Sequence, residues 1–535
     1  MNYSHLRFFT VIVAAAILSS CSMDHRGTDH AAITNPPEET SAEWTILYYG
    51  AGNYAGDMLS NGQSQAIATV HGLQDVYTTD KVHAVALVGT AADNGVCRFY
   101  DIRFQPGEAG NRISSIGKAW GQQDMSSPQL LKQFVDSAVA LYPARHYALI
   151  IGGEGEAWRG ACRDDVSGGR IMPIPAMSQT LDASTGHNGL PVHFDLLLWL
   201  TPGMSTMEVA YEMSGKVDYM VATSSVLPQP GFLASEQWLL DLATNPGMDA
   251  ERLGRFMVAR MATRAQTSGD TLAIFDLLDL RSVESLARDV NNMADSIRVV
   301  LHNHSSQILQ IWQSLWDLQV SDSATVDLPA FVGSIRADST FYAVEGIRQT
   351  ADRVQSALDH MVIETRGTRP GSMRKGMTIY SPMTPSPADL EIYHTLRMSQ
   401  EEPGWVGLLV AMQESGSALV QVHGSVTWAG HTLQNLYVFL NTAQVGTPAI
   451  SLTASAPLTT IITPDNAGFQ TSFALEGDST AAYIGVFQDL DNNRQLSTGD
   501  RYGYYHRNSA PLRDWMTIRS GDELDSIQID LTRTY

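Results

Sequence analysis

The most regular set of ligand atoms in this chain lies near its C-terminus. Asp489, Asp491 and Asn493 alternate, Gln495 follows at the seventh place and Asp500 stands at the twelfth, counting Asp489 as the first. Side-chain oxygens at places one, three, five and twelve, with a backbone carbonyl at seven, can surround Ca²⁺, a hard cation that takes carboxylate and carbonyl donors. Arg494 sits where such loops favour Gly for the sharp turn, and Asp at the last place makes bidentate closure harder than Glu would. The competing reading is a polar turn whose Asp and Asn side chains bond their own backbone. Close carboxylates repel unless a cation neutralises them, which favours a structural Ca²⁺ here.

The cysteines carry the next chemistry. There are three, too few for a disulfide scaffold or a four-thiolate zinc site. Arg7, an apolar run over 8–18 and Leu18-Ser19-Ser20-Cys21 follow one another, the order of an export signal. The small residues ending on Cys resemble a bacterial lipobox, which implies cleavage after residue 20 and acylation of the Cys21 thiol; a plain secretory signal is the alternative. Residues 21–42 are polar, carry Pro36-Pro37 and read as a flexible tether. The expectation is a lipid-anchored protein of the bacterial cell envelope, in the outer membrane, the periplasm or at the surface. In such an oxidising compartment, Cys97 and Cys162 either form a disulfide or remain separate buried thiols, and the sequence leaves both open.

The 535 residues suggest two or three domains. Lys plus Arg total 34 against 56 Asp plus Glu, a net charge of −22, which argues against nucleic acid and against an electrostatic grip on anionic lipid. No run reaches the roughly 18–20 apolar residues of a membrane-spanning helix.

The elements that must position a site begin at Trp44. Apolar runs over 44–52, 82–89, 97–102, 147–153, 193–200 and 217–225 read as strands. Stretches over 64–76, 130–142 and 204–213 read as helices between them. Apolar strands separated by helices indicate a mostly parallel sheet covered on both faces, and in such sheets sites form at the carboxyl ends of the strands. From 235 to 412 the chain is largely helical, with strand signals at 272–277 and 376–382. From 413 to 535, short alternating strands with turn residues predict a separate β-sandwich.

Several of these segments together resemble the clostripain family of cysteine endopeptidases, in clan CD. WTILYYGAGNYAGDML (44–59) is similar to that family's opening strand and loop. YALIIGGEGEAWRGACRDDVSG (147–168) resembles the strand on which the family carries His-Gly-x-Gly-Trp. FDLLLWLTPGMSTMEVAYEM (194–213) resembles the strand and helix with Asp-x-Cys-Leu-Met and then Glu-Val-Ala-Tyr-Glu. VDYMVATSSVLPQPGF (217–232), LAIFDL (272–277) and GMTIYSP (376–382) with Trp405 also fit, so the likeness runs over about 43–412. It implies a caspase-like α/β fold over 43–234, completed by the helical extension over 235–412.

The chemistry departs from the family. A cysteine peptidase needs a thiolate nucleophile and a histidine to move its proton. Anchored on Gly155 and Trp158, the histidine position falls on Glu154. Anchored on Met204 and 208–212, the cysteine position falls on Pro202. Leu200 stands where the resemblance implies an Asp that binds an Arg side chain, and an isobutyl group cannot pair a guanidinium. Pro202 also has no backbone N–H for an oxyanion hole. His146 and His193 stand at strand starts, on the order of 20 Å from strand ends. Cys162, Thr201, Ser205 and Glu154 are on the correct side, with packed or solvated roles as the simpler readings. Gly152, Gly153 and Gly155 allow close backbone approach. Trp158 either packs over the sheet edge or, with Gly155 and Thr201, lines a cleft for extended peptide. The reading is an inactive peptidase homologue that binds peptide or protein. The alternatives are a working endopeptidase with a replaced catalytic set, and a structural surface component acting through its β-domain.

Overall fold

The computed structural model describes residues 42–534 apart from 59–61, 77–78, 103–115, 187–188, 226, 228–233, 271–272, 316–323, 368–375, 383–385, 416–418, 434–435, 442–454, 460–462, 475–478, 491–497, 506–515 and 520–521. Its strands up to residue 380 are β1 (Trp44–Gly52), β2 (Val82–Thr90), β3 (Val96–Ile102), β4 (Ile116–Gln122), β5 (His146–Gly153), β6 (Gly160–Asp164), β7 (Arg170–Pro173), β8 (Phe194–Leu200), β9 (Val217–Thr223), β10 (Ile274–Asp279), β11 (Thr325–Asp327), β12 (Val362–Gly367) and β13 (Thr378–Tyr380). Nine of them form one sheet in the order β12-β10-β9-β8-β5-β1-β2-β3-β4. The five central strands run parallel, and the two at each edge run antiparallel.

Period-two alternation distributes the side chains. Along β1, Leu47, Tyr49 and Ala51 enter the core on one face, while Trp44, Ile46 and Tyr48 enter the core on the other. Every residue of β1 is therefore buried, and a strand between two covered faces reads as an unbroken apolar run. The helices that cover the faces start at legible caps. Ser64 caps α1 (Gln65–Gln74) by accepting from the Ile67 N–H, and Ser127, with Pro128 in the first turn, caps α2 (Pro128–Leu141). After α3 (Ile174–Ala183), Thr206 accepts from the Val209 N–H at the start of α4 (Met207–Met213).

The segment expected to be a helical extension contains α5 (Ser235–Thr244), α6 (Ala250–Thr267), α7 (Val283–Leu315), α8 (Leu328–Ala337), α9 (Ser339–Tyr342), α10 (Glu345–Met361), α11 (Pro387–Tyr393), α12 (Arg397–Glu401) and α13 (Gly404–Ser415). It also gives β10 and β12 to the central sheet, so it completes that unit. Strand β12, VIETRG, is half-exposed to exposed along its length; an edge strand with charges facing water has no apolar run to betray it.

Beyond residue 418 the described elements are all strands: β14 (Leu419–Leu433), β15 (Leu436–Asn441), β16 (Ser455–Thr459), β17 (Thr463–Ala474), β18 (Ser479–Gln488), β19 (Arg501–Tyr504), β20 (Met516–Arg519), β21 (Glu523–Asp530) and β22 (Arg533–Thr534). They make two sheets, β17-β14-β21 and β16-β15-β18-β19-β22, with β20 on β18. Val420, Val422, Val438, Ile484, Val486 and Ile518 share one buried core, the expected β-sandwich.

Candidate functional site

The sheet changes winding direction at β1 and β5. The chain leaves β1 towards β2 on one side and β5 towards β8 on the other, which makes the carboxyl ends of these strands the place where such folds open a crevice. β5 ends at Gly153 and Glu154 is the next residue. β8 ends at Leu200, followed by Thr201 and Pro202. Gly152 and Leu200 are partners in the parallel register, so Glu154 and Pro202 each lie two residues beyond that pair on adjacent strands.

Two glycines let the strand end pass its neighbours. Gly153 has φ +144°, and a Cβ there would lie 2.7 Å from the Ala51 carbonyl oxygen. A Cβ on Gly155 would lie 2.2 Å from Thr201 Cγ2. Thr201 itself is fully buried and donates its hydroxyl to the Ile151 carbonyl at 3.2 Å. The two strand ends therefore close directly on each other.

Glu154 is half-buried. Burial lifts its carboxyl above the usual range; the Gly155 N–H and Arg163 pull the other way, and Glu156 and Asp165 add to the rise. Leu200 packs against the apolar core on one face of the sheet, in keeping with a position that holds no charge.

Trp158 packs rather than lining a surface. It is fully buried, with ring centroids 4.7 Å from Tyr380 and 5.2 Å from Tyr393. The Arg159 guanidinium lies 4.6 Å from its ring centroid and pairs with Asp389 at 2.7 Å. Gly155, Trp158 and Thr201 are all buried, and Tyr380 of β13 and Tyr393 of α11 pack on the Trp158 ring, so of the two readings of Trp158 the geometry has the packed one.

Glu208, which sequence reasoning used only as an alignment anchor, holds both tyrosines in place. Fully buried on α4, its Oε1 accepts from the Tyr380 N–H and from the Tyr393 hydroxyl, both at 2.8 Å. Burial raises its carboxyl, against the opposing pull of these hydrogen bonds. A charged residue on a helix that is otherwise buried was the available signal.

His146 and His193 stand at the starts of their strands, at the end of the sheet away from the rim. His146 pairs with Asp195 at 2.7 Å and His193 with Asp218 at 3.0 Å, at the amino ends of the strands. Cys97 and Cys162 are free, buried thiols, so the disulfide alternative gives way to the separate-thiol one. Cys97 Sγ lies 3.2 Å from Met125 Sδ, and burial, with Asp164 adding, pushes its thiol up to about 12. Burial alone raises Cys162.

In the acidic loop, Asp489 and Asp500 are buried, and Asp500 accepts from the Leu490 N–H at 2.9 Å. Asp491, Asn493 and Gln495 lie outside the described residues, as does Cys21. No helix among the described residues is long and apolar enough to cross a membrane.

A mostly parallel sheet flanked by helices, with its candidate site at the β5 and β8 ends, is the architecture of a caspase-like peptidase. The sequence pattern of the clostripain family, Peptidase_C11, matches residues 106–399, more than half of the chain; the chain belongs to that family. Its structure is similar to that of an inactive zymogen C11 protease from Parabacteroides distasonis, at 17% identity and TM-score 0.51, covering 68% of this chain and 99% of that one. It is also similar to a secreted C11 cysteine protease from Bacteroides thetaiotaomicron solved with an irreversible peptide inhibitor, at 15% identity and TM-score 0.49, covering 67% and 98%. At 17% identity the first of these likenesses is one of fold. No curated protein matches the chain.

Proposed function

We propose that this chain is a catalytically inactive clostripain-family protein, held at the bacterial envelope by a lipid on Cys21, which binds peptide or protein without cutting it. The observation that carries the reading is the pair at the rim: a carboxylate, Glu154, and an imino acid, Pro202, two residues beyond the paired ends of β5 and β8. Neither can supply the thiolate or the imidazole that amide cleavage by this family's chemistry requires, and Pro202 donates no backbone hydrogen bond to a developing oxyanion. With Trp158 and Thr201 covered, the binding surface is the outer rim around Glu154, the exposed Glu156 and Pro202. The acidic loop belongs to the same reading as a structural Ca²⁺ site, with Asp489, Asp491, Asn493, the Gln495 carbonyl and Asp500 as ligands.

The test is turnover of fluorogenic Arg and Lys peptides by the purified protein, with and without Ca²⁺ and reductant. No hydrolysis is expected, and thiol-dependent hydrolysis would overturn the reading. Unlabelled peptide should bind, and Glu154→Arg should weaken it. Peptide that fails to bind would leave contact through the β-sandwich as the function. For the metal, calorimetry of Asp491→Ala should lose the Ca²⁺ signal of the parent chain, and an unchanged titration discards the site.

A further inference from the structure

Strands β14 and β21 are far apart in sequence and pair in parallel, with Gln421 opposite Glu523 and Val422 opposite Leu524. The register shifts between Val422 and Gly424, and Ser526 opposite that shift has φ +61°, a bulge that re-aims the side chains beside it. Residues two apart on a strand share a face, so Glu523 and Asp525 point the same way, towards His423 on the neighbouring strand. One imidazole nitrogen and one oxygen from each carboxylate lie within 4.8 Å of one another.

The spacing within this trio is informative. His423 Nδ1 stands 3.7 Å from Asp525 Oδ1, too long for a hydrogen bond. Two donors at about 2.1 Å from a tetrahedral ion are separated by roughly 3.4 Å, so a small side-chain rotation brings the pair to that edge. Glu523 and Asp525 are exposed and His423 is half-exposed, so an ion can reach them without the chain opening.

We propose that His423, Glu523 and Asp525 bind one divalent transition-metal ion of the zinc type. The imidazole nitrogen distinguishes this set from the all-oxygen sets that suit Ca²⁺ and Mg²⁺, and hence from the 489–500 loop. Two carboxylates neutralise the ion's charge. Three protein ligands leave a fourth position for water. Bound there, the ion ties β21, near the end of the chain, to β14, the first strand of the sandwich, beside the backbone ladder and the Thr427–Asp530 hydrogen bond that already join them.

The test is calorimetric titration of the chelator-treated full chain with Zn²⁺, repeated with Co²⁺ and read by its visible absorption. One ion per chain should bind at this site, and excess Ca²⁺ should not displace it. His423→Ala should weaken binding by at least about 100-fold, more than the loss of an outer-shell partner costs, and abolish the Co²⁺ bands. Asp525→Asn should weaken Zn²⁺ while leaving the metal-free melting curve unchanged, which serves as the deciding variant if His423→Ala folds poorly. Titrations of both variants that superimpose on the parent, an absence of Zn²⁺ binding by the parent, or displacement by equimolar Ca²⁺ would each overturn the proposal.

Discussion

Replacing Glu208 should separate its two contributions, acceptor and buried charge. In Glu208→Ala the Tyr380 N–H and the Tyr393 hydroxyl, which both point at Oε1 from 2.8 Å, lose their partner in a dry interior. Each stranded donor costs about 1–3 kcal/mol, so the loss should be about 2–6 kcal/mol before any cavity is counted. Glu208→Gln keeps an acceptor oxygen and removes the charge, so it should cost far less. The two variants should also differ in pH dependence. Burial holds the folded-state carboxyl above its usual value, so from about pH 4.3 up to that raised value the folded chain keeps a proton that the unfolded chain has lost. Stability is then fully present below this window and falls as pH rises through it, by up to about 1.4 kcal/mol per pH unit for one proton. The assay is urea unfolding of the α/β unit, followed by near-ultraviolet circular dichroism from about pH 4 to about pH 8. Glu208→Gln should flatten the slope by as much as one proton. Burial also raises Glu212, Asp57 and Glu154, which will keep part of it. A Gln variant as steep as the parent, or an Ala variant that loses less than about 1 kcal/mol, would refute the reasoning.

Three other outcomes follow from the packing at the rim. Gly155→Ala should destabilise the chain by about 1–3 kcal/mol through overpacking, because its methyl meets Thr201 Cγ2; adding Thr201→Ser, which removes that carbon and keeps the hydroxyl, should recover most of the loss in a denaturation double-mutant cycle. Trp158→Ala should cost about 3–5 kcal/mol in the same assay, since the indole is fully buried between Tyr380 and Tyr393. A chain beginning at Ser22 should show no thiol reactive with a disulfide reagent when native and two when denatured, because burial keeps Cys97 and Cys162 protonated; a denatured count of zero would mean that they are bonded.

The parallel core was legible because a strand covered on both faces has no polar positions to blur it: β1, β2, β5, β8 and β9 fall within two residues of their apolar runs. The edges were not. β12 is half-exposed to exposed throughout, and its VIETRG mixes apolar residues with Glu364 and Arg366, so it shows no apolar run. At the site, the positions of Glu154 and Pro202 could be read from their flanking anchors, because strand ends and glycines fix the local register. What packs on the buried Trp158 beside them could not. The aromatic lid from β13 and α11 comes from residues more than 170 positions further along the chain than Glu208, the residue that binds it, and nothing local in the sequence announces such a contact. The free thiols were undecidable for a similar reason, since two cysteines report their count but not their separation.

The contact between Gly155 and Thr201 has a consequence for where bulk can be added at the strand tips. A methyl at 155 runs into Thr201 Cγ2, whereas the side chains at 154, 156 and 202 are at least partly exposed, so any enlargement must grow towards solvent. The tips are thus fixed inwardly by sterics and variable outwardly, and a library built on this rim should keep positions 155 and 201 constant.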